Sequence, residues 1–167
     1  FGTGSAHKLR LAFEEVTGKD LNWFWNQWYF GSGHPLLDIS YNYNADTKML
    51  SVMMKQTQST DKVFKLPFAI DVYLGGNKTR YNVWMNNKVD TFSFAVASKP
   101  NLVNVDADKI LLSTKKESKT LAEYIHQYTY AGMYMDRKEA LDYAAKKISD
   151  STAVKLLQKA LNDPFAA

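Results

Sequence analysis

Cysteine is absent from the 167 residues. That excludes thiol nucleophiles, thiolate metal sites and any disulfide framework, so the fold must rest on its packed core. Histidine is scarce: His7, His34 and His126 are the whole supply. They lie far apart on different expected elements, and no His-Glu-x-x-His places two imidazoles on one helix face. There is no Gly-x-Ser-x-Gly elbow, and Gly2, Gly4, Gly75 and Gly76 complete no phosphate-cradling pattern. No apolar run approaches the ~20 residues a membrane-spanning helix needs. The formal charge is only +4, with Lys and Arg interspersed among Asp and Glu, so neither nucleic acid nor a membrane is expected as a partner. Phe1-Gly2-Thr3-Gly4 has no initiator Met, no basic n-region and no apolar h-region, unlike a signal peptide. With Asn162-Asp163-Pro164-Phe165-Ala166-Ala167 breaking off after a helical pattern, both ends are expected to be cut.

What is present falls into three zones, expected at residues 1–35, 36–114 and 115–167. In the first, Leu9, Ala12, Phe13 and Val16 recur at helical spacing, Thr17-Gly18 stops that helix, and Asp20 is the expected N-cap of a second. The second helix carries Trp23, Phe24, Trp25, Trp28, Tyr29 and Phe30. Aromatics placed most of the way round predict burial on several sides, and these six are assigned to packing between domains. One flat exposed face would instead make a platform for sugars or bases.

In the second zone the period falls to two. Leu37, Ile39, Tyr41 and Tyr43 alternate with Asp38, Ser40, Asn42 and Asn44. Further strands are expected through Leu50–Met54, Phe68–Leu74, Tyr81–Met85, Phe92–Val96, Val103–Val105 and Ile110–Leu112, with turns at 44–47, 75–77 and 86–87. Many short strands without intervening helices predict an antiparallel β-sandwich. Ile39, Val52, Ile70, Val72, Phe92 and Phe94 are its expected core. The Lys-rich stretch 113–119 reads as a polar boundary. After it, three helices are expected around Leu121–Tyr128, Ala140–Ile148 and Val154–Leu161, the last two resembling a helical-hairpin repeat. The predicted fold class is therefore mixed β and α, a sandwich flanked by an N-terminal helical segment and a C-terminal HEAT-like one.

The residues themselves offer little catalytic chemistry. Glu14 and Glu15 are adjacent and diverge on a helix, and each histidine reads as a surface, turn or packing residue. His34, in a Gly/Pro turn, has the alternative reading of a loop facing a cleft. The run Leu11-Ala12-Phe13-Glu14-Glu15-Val16-Thr17-Gly18-Lys19-Asp20-Leu21-Asn22-Trp23-Phe24 resembles the end of the catalytic domain in zinc aminopeptidases of the aminopeptidase N (gluzincin) type. Asn26-Gln27-Trp28-Tyr29-Phe30-Gly31-Ser32-Gly33-His34-Pro35 is similar to the passage leading out of it. Gln56-Thr57-Gln58 and Leu66-Pro67-Phe68-Ala69-Ile70 resemble the sandwich that follows. Asp136-Arg137-Lys138-Glu139-Ala140-Leu141 and Ala160-Leu161-Asn162-Asp163-Pro164-Phe165 resemble the opening of the family's helical array.

The resemblance implies an upstream thermolysin-like domain. In it, two histidines and a glutamate hold zinc, a further glutamate activates water, and a Gly-x-Met-Glu-Asn stretch grips the substrate's amino terminus. None of those motifs occurs here, so no catalytic, cofactor or metal residue is assigned, and zinc is expected only in the missing domain. The chain is expected to be inactive by itself and to link the catalytic domain to the helical array. Its partners would then be the missing domain of the same polypeptide and, in the intact enzyme, a peptide substrate, with weak self-association of the isolated piece. The competing reading is a free-standing carbohydrate- or protein-binding sandwich module.

Overall fold

The computed structural model describes residues 4–163. Phe1–Thr3 and Pro164–Ala167, which include the expected cut ends, lie outside the described residues. The chain divides into two compact units, Phe1–His34 and Pro35–Ala167. None of the described helices is long and apolar enough to cross a membrane.

In the first unit, α1 spans Ala6–Thr17. The Ser5 hydroxyl accepts the Lys8 N–H at 3.3 Å, and Gly18 at φ 65° closes the helix by donating to the Glu14 carbonyl. Only glycine takes that left-handed position without a Cβ penalty. The N-cap of the second helix is Leu21 rather than the expected Asp20; Asp20 stands one residue earlier, its carboxylate accepting the Asn22 N–H at 2.8 Å. α2 (Asn22–Phe24) then widens into a π-helical turn over Trp25–Tyr29, closed by Phe30 N–H donating to the Trp25 carbonyl at 2.9 Å. The expected stripe on α1 is not buried within the described chain, where Leu9, Phe13 and Val16 are exposed.

The second unit holds two sheets and three helices. β1 (Leu36–Asn44), β2 (Met49–Gln56), β5 (Val89–Ala95) and β7 (Thr114–Glu117) form one sheet in the order β5-β2-β1-β7. β3 (Leu66–Leu74), β4 (Asn77–Met85) and β6 (Leu102–Val105) form the other, in the order β4-β3-β6. Every pairing is antiparallel except β1 with β7, which is parallel. The antiparallel expectation is corrected there.

Turn chemistry places the strand ends. The Asn44 side-chain oxygen accepts the N–H groups of Asp46 and Thr47 at 2.9 and 3.1 Å, so the first hairpin is an Asx turn. Gly75 at φ 58° with Gly76 closes β3 onto β4 in two residues, Leu74 facing Asn77. At 86–87 the Asp90 carboxylate accepts both backbone N–H groups, at 2.8 and 3.0 Å. That turn carries the chain from one sheet to the other.

Leu37, Ile39, Leu50, Val52, Met54, Phe64, Leu66, Ile70 and Met85 are essentially inaccessible. Each such side chain contributes roughly 1.5–3 kcal/mol through burial. Phe68 meets Phe92 edge to face at 5.9 Å, and Tyr81 stacks on Phe94 at 4.0 Å, so both ring pairs join strands of different sheets. Phe92 and Phe94 are half-buried rather than fully enclosed. Gln56 and Gln58 also point inward. The Gln56 amide exchanges two hydrogen bonds with the Phe64 backbone, at 2.8 and 2.9 Å, and so acts as a substitute strand partner for the loop before β3.

The expected strand at Ile110–Leu112 does not form. Ile110 and Leu112 are 66% and 68% exposed, and the strand lies at Thr114–Glu117 instead. The apolar residues stand outside while Ser113, Lys115, Glu117 and Lys119 alternate inward. The cause is the buried polar surface that receives them.

α3 (Leu121–Tyr130), α4 (Tyr134–Ala145) and α5 (Ser151–Ala160) follow. A reciprocal capping box of Thr120 and Glu123 starts α3, and Asp150 caps α5. Tyr128, Ala140, Ala144, Ala153 and Leu156 make their shared core, with Leu121, Ile125 and Leu157 around it. Ile148, expected on that stripe, is exposed in the turn between α4 and α5.

Candidate functional site

The six aromatics singled out from the sequence are distributed unevenly. Trp25 is buried, Trp23 and Trp28 are half-buried, and Phe24, Tyr29 and Phe30 are exposed. Their rings meet edge to face: Trp23 with Phe24 at 5.8 Å and 89°, Phe24 with Trp25 at 5.4 Å and 61°, Tyr29 with Phe30 at 5.1 Å and 83°. Neighbouring rings set at such angles do not form a single flat stacking surface.

The histidines lie on different elements. His7 lies on α1 beside Arg10, His34 ends the first unit and His126 is on α3. No group of three or more His, Asp or Glu among the described residues could hold a metal. The buried carboxylates are already engaged by lysines or arginine. Among the described residues, the zinc implied by the family resemblance therefore has no fitting donor set.

The densest chemistry lies where α3 and α4 cover the outer face of β3 and β6. Along β3, Ile70 and Val72 face Val105 and Val103, whereas Asp71 and Tyr73 face Asn104 and Leu102 on the other side. Asn104 donates to the Asp136 carboxylate of α4 at 3.0 Å. Lys109, held at φ 53°, brings its ammonium to 2.8 Å from the same carboxylate, 3.1 Å from the Asn104 side-chain oxygen and 3.4 Å from Glu139. Gln127 of α3 donates to Glu139 at 2.9 Å and to the Asp136 carbonyl at 3.0 Å. It accepts from Lys119 at 2.9 Å, and Lys119 also sits 2.6 Å from Glu117. Tyr41 of β1 donates to Glu117 at 2.8 Å. Lys115 lies between Asp106 and Glu139 at 3.8 and 3.6 Å. Asp106 accepts the Ile110 N–H at 3.0 Å and so turns the chain into this seam. Beside it on the sheet, Asp71 is gripped by Arg80 at 2.7 Å and Lys78 at 2.9 Å.

Burial and partners pull the protonation equilibria of the seam in different directions. Burial pushes the Asp106 carboxyl up, with Lys115 opposing. Burial also works against the charges of Glu117 and Lys109. Yet Lys119 and Lys115 hold Glu117 below the usual glutamate range, and Glu139 and Asp136 hold Lys109 above the usual lysine range. Burial and the neighbouring Glu117 raise the Tyr41 phenol well above its ordinary value. Cation and carboxylate alternate through the seam, and the buried Ser113 hydroxyl at the head of the inward row has no hydrogen-bond partner. The seam's chemistry is to hold charges in place, tying strands β1, β6 and β7, the loops beside them and two helices together.

Sequence reasoning missed the seam. Lys115, Glu117 and Lys119 alternate at the period of a strand, but a strand whose inward face is charged carries no hydrophobic signal.

No family model matches the sequence, and no curated protein matches it. A solved structure does. The chain matches part of the crystal structure of Legionella pneumophila aminopeptidase A in complex with aspartic acid, with a TM-score of 0.78 and 15% sequence identity, over 99% of this chain and 21% of that one. The fold is aminopeptidase-like. At 15% identity the likeness is one of fold, and this chain spans about a fifth of that protein's length.

Proposed function

We propose that the chain is a non-catalytic structural portion of a zinc metallopeptidase resembling aminopeptidase N. On this reading, residues 1–35 end a catalytic domain, 36–114 are a β-sandwich and 115–167 open a HEAT-like helical domain. The chain joins the outer two. Trp23, Phe24, Trp25, Trp28, Tyr29 and Phe30 pack against the catalytic domain, which supplies the zinc and receives the peptide. Neither nucleic acid nor a membrane is a partner. The observation carrying the proposal is the match of 99% of this chain to a segment making up 21% of an aminopeptidase. The ordered sequence resemblance across all three zones supports it, as does a seam built to fasten helices onto sheets.

An antibody raised against the chain tests the reading. In the source cells it is expected to detect a polypeptide several times larger than 19.0 kDa. That polypeptide should co-purify with aminoacyl-anilide hydrolysis that a chelator abolishes and zinc restores. A 19.0 kDa species as the sole product, or a larger protein without peptidase activity, overturns it. A sole 19.0 kDa product that binds glycans would favour the free-standing module.

A further inference from the structure

α3 has a second attachment beside the seam. Next to Gln127, His126 points to the tip of the β3–β4 hairpin. Its ring lies 5.8 Å from Tyr73, edge to face at 73°, and 4.4 Å from Tyr130, tilted by 32°. One imidazole nitrogen, Nε2, is buried without a hydrogen-bond partner, while the ring hydrogen-bonds to the Gly75 backbone. Tyr130, one turn further on, presses onto the same tip: a Cβ at Gly76 would stand 3.2 Å from the Tyr130 ring. Asn101 completes the grip by accepting the Gly75 N–H at 2.7 Å. Beside His126 is a cavity of about 250 Å³, also lined by Lys99, Pro100, Asn101, Thr120, Ala122 and Glu123.

We propose that His126, with Tyr73 and Tyr130, is an acid-releasable clamp that fixes the β3–β4 hairpin tip to α3 at neutral pH and lets it go when the imidazole is protonated. The neutral ring fits because it needs one partner and has one in Gly75. A second N–H at Nε2 would be a buried charged donor without an acceptor, which is costly. The groups facing the imidazole do not supply that acceptor. Tyr73 from β3 presents its ring edge, and Tyr130 presents its ring. Lys99 from the β5–β6 loop is itself a cation. The Glu123 carboxylate is turned to the N-cap of α3, its Oε2 accepting from the Thr120 N–H and hydroxyl at 2.7 Å each, and it makes no hydrogen bond to Nε2. The β3–β4 turn contributes only the backbone of Gly75 and Gly76.

Burial holds the His126 imidazole below the usual histidine value of 6.5, the Gly75 hydrogen bond opposing. The released hairpin therefore takes up a proton more readily than the clamped one. The clamp is fully present above 6.5 and is lost as pH falls through the clamped-state value. Gln127 has no titrating role, so acid frees the tip while α3 stays fixed to the seam.

The test uses the full chain. In a histidine-ring NMR titration, His126 is expected to titrate below 6.5. The opening ratio of the hairpin-tip amides, taken from hydrogen exchange after dividing out the intrinsic rate at each pH, is expected to rise by up to about tenfold between pH 7.5 and pH 5.5, as linkage to a site of that unfolded value allows. His126→Phe keeps the aromatic stack and cannot titrate, so its tip should exchange at a pH-independent opening ratio. A wild-type His126 titrating at or above 6.5 overturns the proposal, whether or not the variant folds. So does an acid-accelerated tip that persists in His126→Phe.

Discussion

Strand β3 is buried on both faces, and the two faces are held by opposite means. On one, Phe68, Ile70 and Val72 meet Val103, Val105 and the aromatics of the other sheet. On the other, Asp71 and Tyr73 lie under α3 and α4 beside Asn104, Lys109, Asp136 and Gln127. The apolar face gains free energy in proportion to area and tolerates any filling of about the right shape. Groups on the polar face gain little individually, because each was solvated in the unfolded chain, but losing one strands its partner in a low-dielectric site. The sheet–sheet side is thus forgiving and the sheet–helix side is exacting.

That contrast is most sharply broken at Asp136. Asp136→Ala leaves the Lys109 ammonium without its nearest carboxylate and Asn104 without its acceptor. It is expected to cost about 3–5 kcal/mol in denaturant unfolding. Replacing both members, Lys109→Met with Asp136→Leu, should recover the part of that loss due to the stranded ammonium, while buried Asn104 stays without either partner. If the single and double variants are equally unstable, packing rather than charge pairing holds this side.

On the apolar face, Phe68→Ala is expected to cost about 3–4 kcal/mol by leaving a cavity between the sheets. Phe94→Ala should cost less, since Phe94 is only half-buried against Tyr81. Equal losses at the two positions would mean that the open edge near Phe94 is as well packed as the centre. Gln56→Ala comes next, at about 1–3 kcal/mol, because the backbone of Phe64 loses both hydrogen bonds to the Gln56 amide. A change below 0.5 kcal/mol would show that water replaces the amide.

The smallest effect is a pH dependence. The folded-state value of Glu117 is depressed below its ordinary 4.5. Its contribution is therefore present above about 4.5 and is lost as pH falls through the folded value. Acid unfolding of the Glu117→Gln variant should be flatter than that of the parent in this window. Identical profiles would assign the acid sensitivity to other carboxylates.

Much of the fold was legible in the sequence because it depends on neighbours a few residues apart. The alternation of Leu37, Ile39, Leu50, Val52 and Met54 located β1 and β2. Gly75-Gly76-Asn77 marked a hairpin turn, which the structure closes over Gly75 and Gly76 alone, and Gly18 marked a helix end. The site was far less legible. Ile110 and Leu112 looked like a strand and are exposed, whereas the Lys-rich stretch that looked like a solvated boundary supplies an inward-facing strand. The aromatic run in the first unit divides into buried Trp25, half-buried Trp23 and Trp28, and exposed Phe24, Tyr29 and Phe30.

The sequence by itself determined local period, turn chemistry and caps, since strand alternation, helical spacing and a left-handed glycine are properties of adjacent residues. It also determined that no thiol chemistry occurs, there being no cysteine. Only the tertiary structure decided that the turn at 86–87 moves the chain between sheets, that β7 runs parallel to β1, and that Lys109, Asp136 and Gln127 meet. Those outcomes depend on which surfaces are brought together across long separations. A charged side chain carries no mark of whether its partner will be water or a carboxylate 27 positions away, as Asp136 is from Lys109.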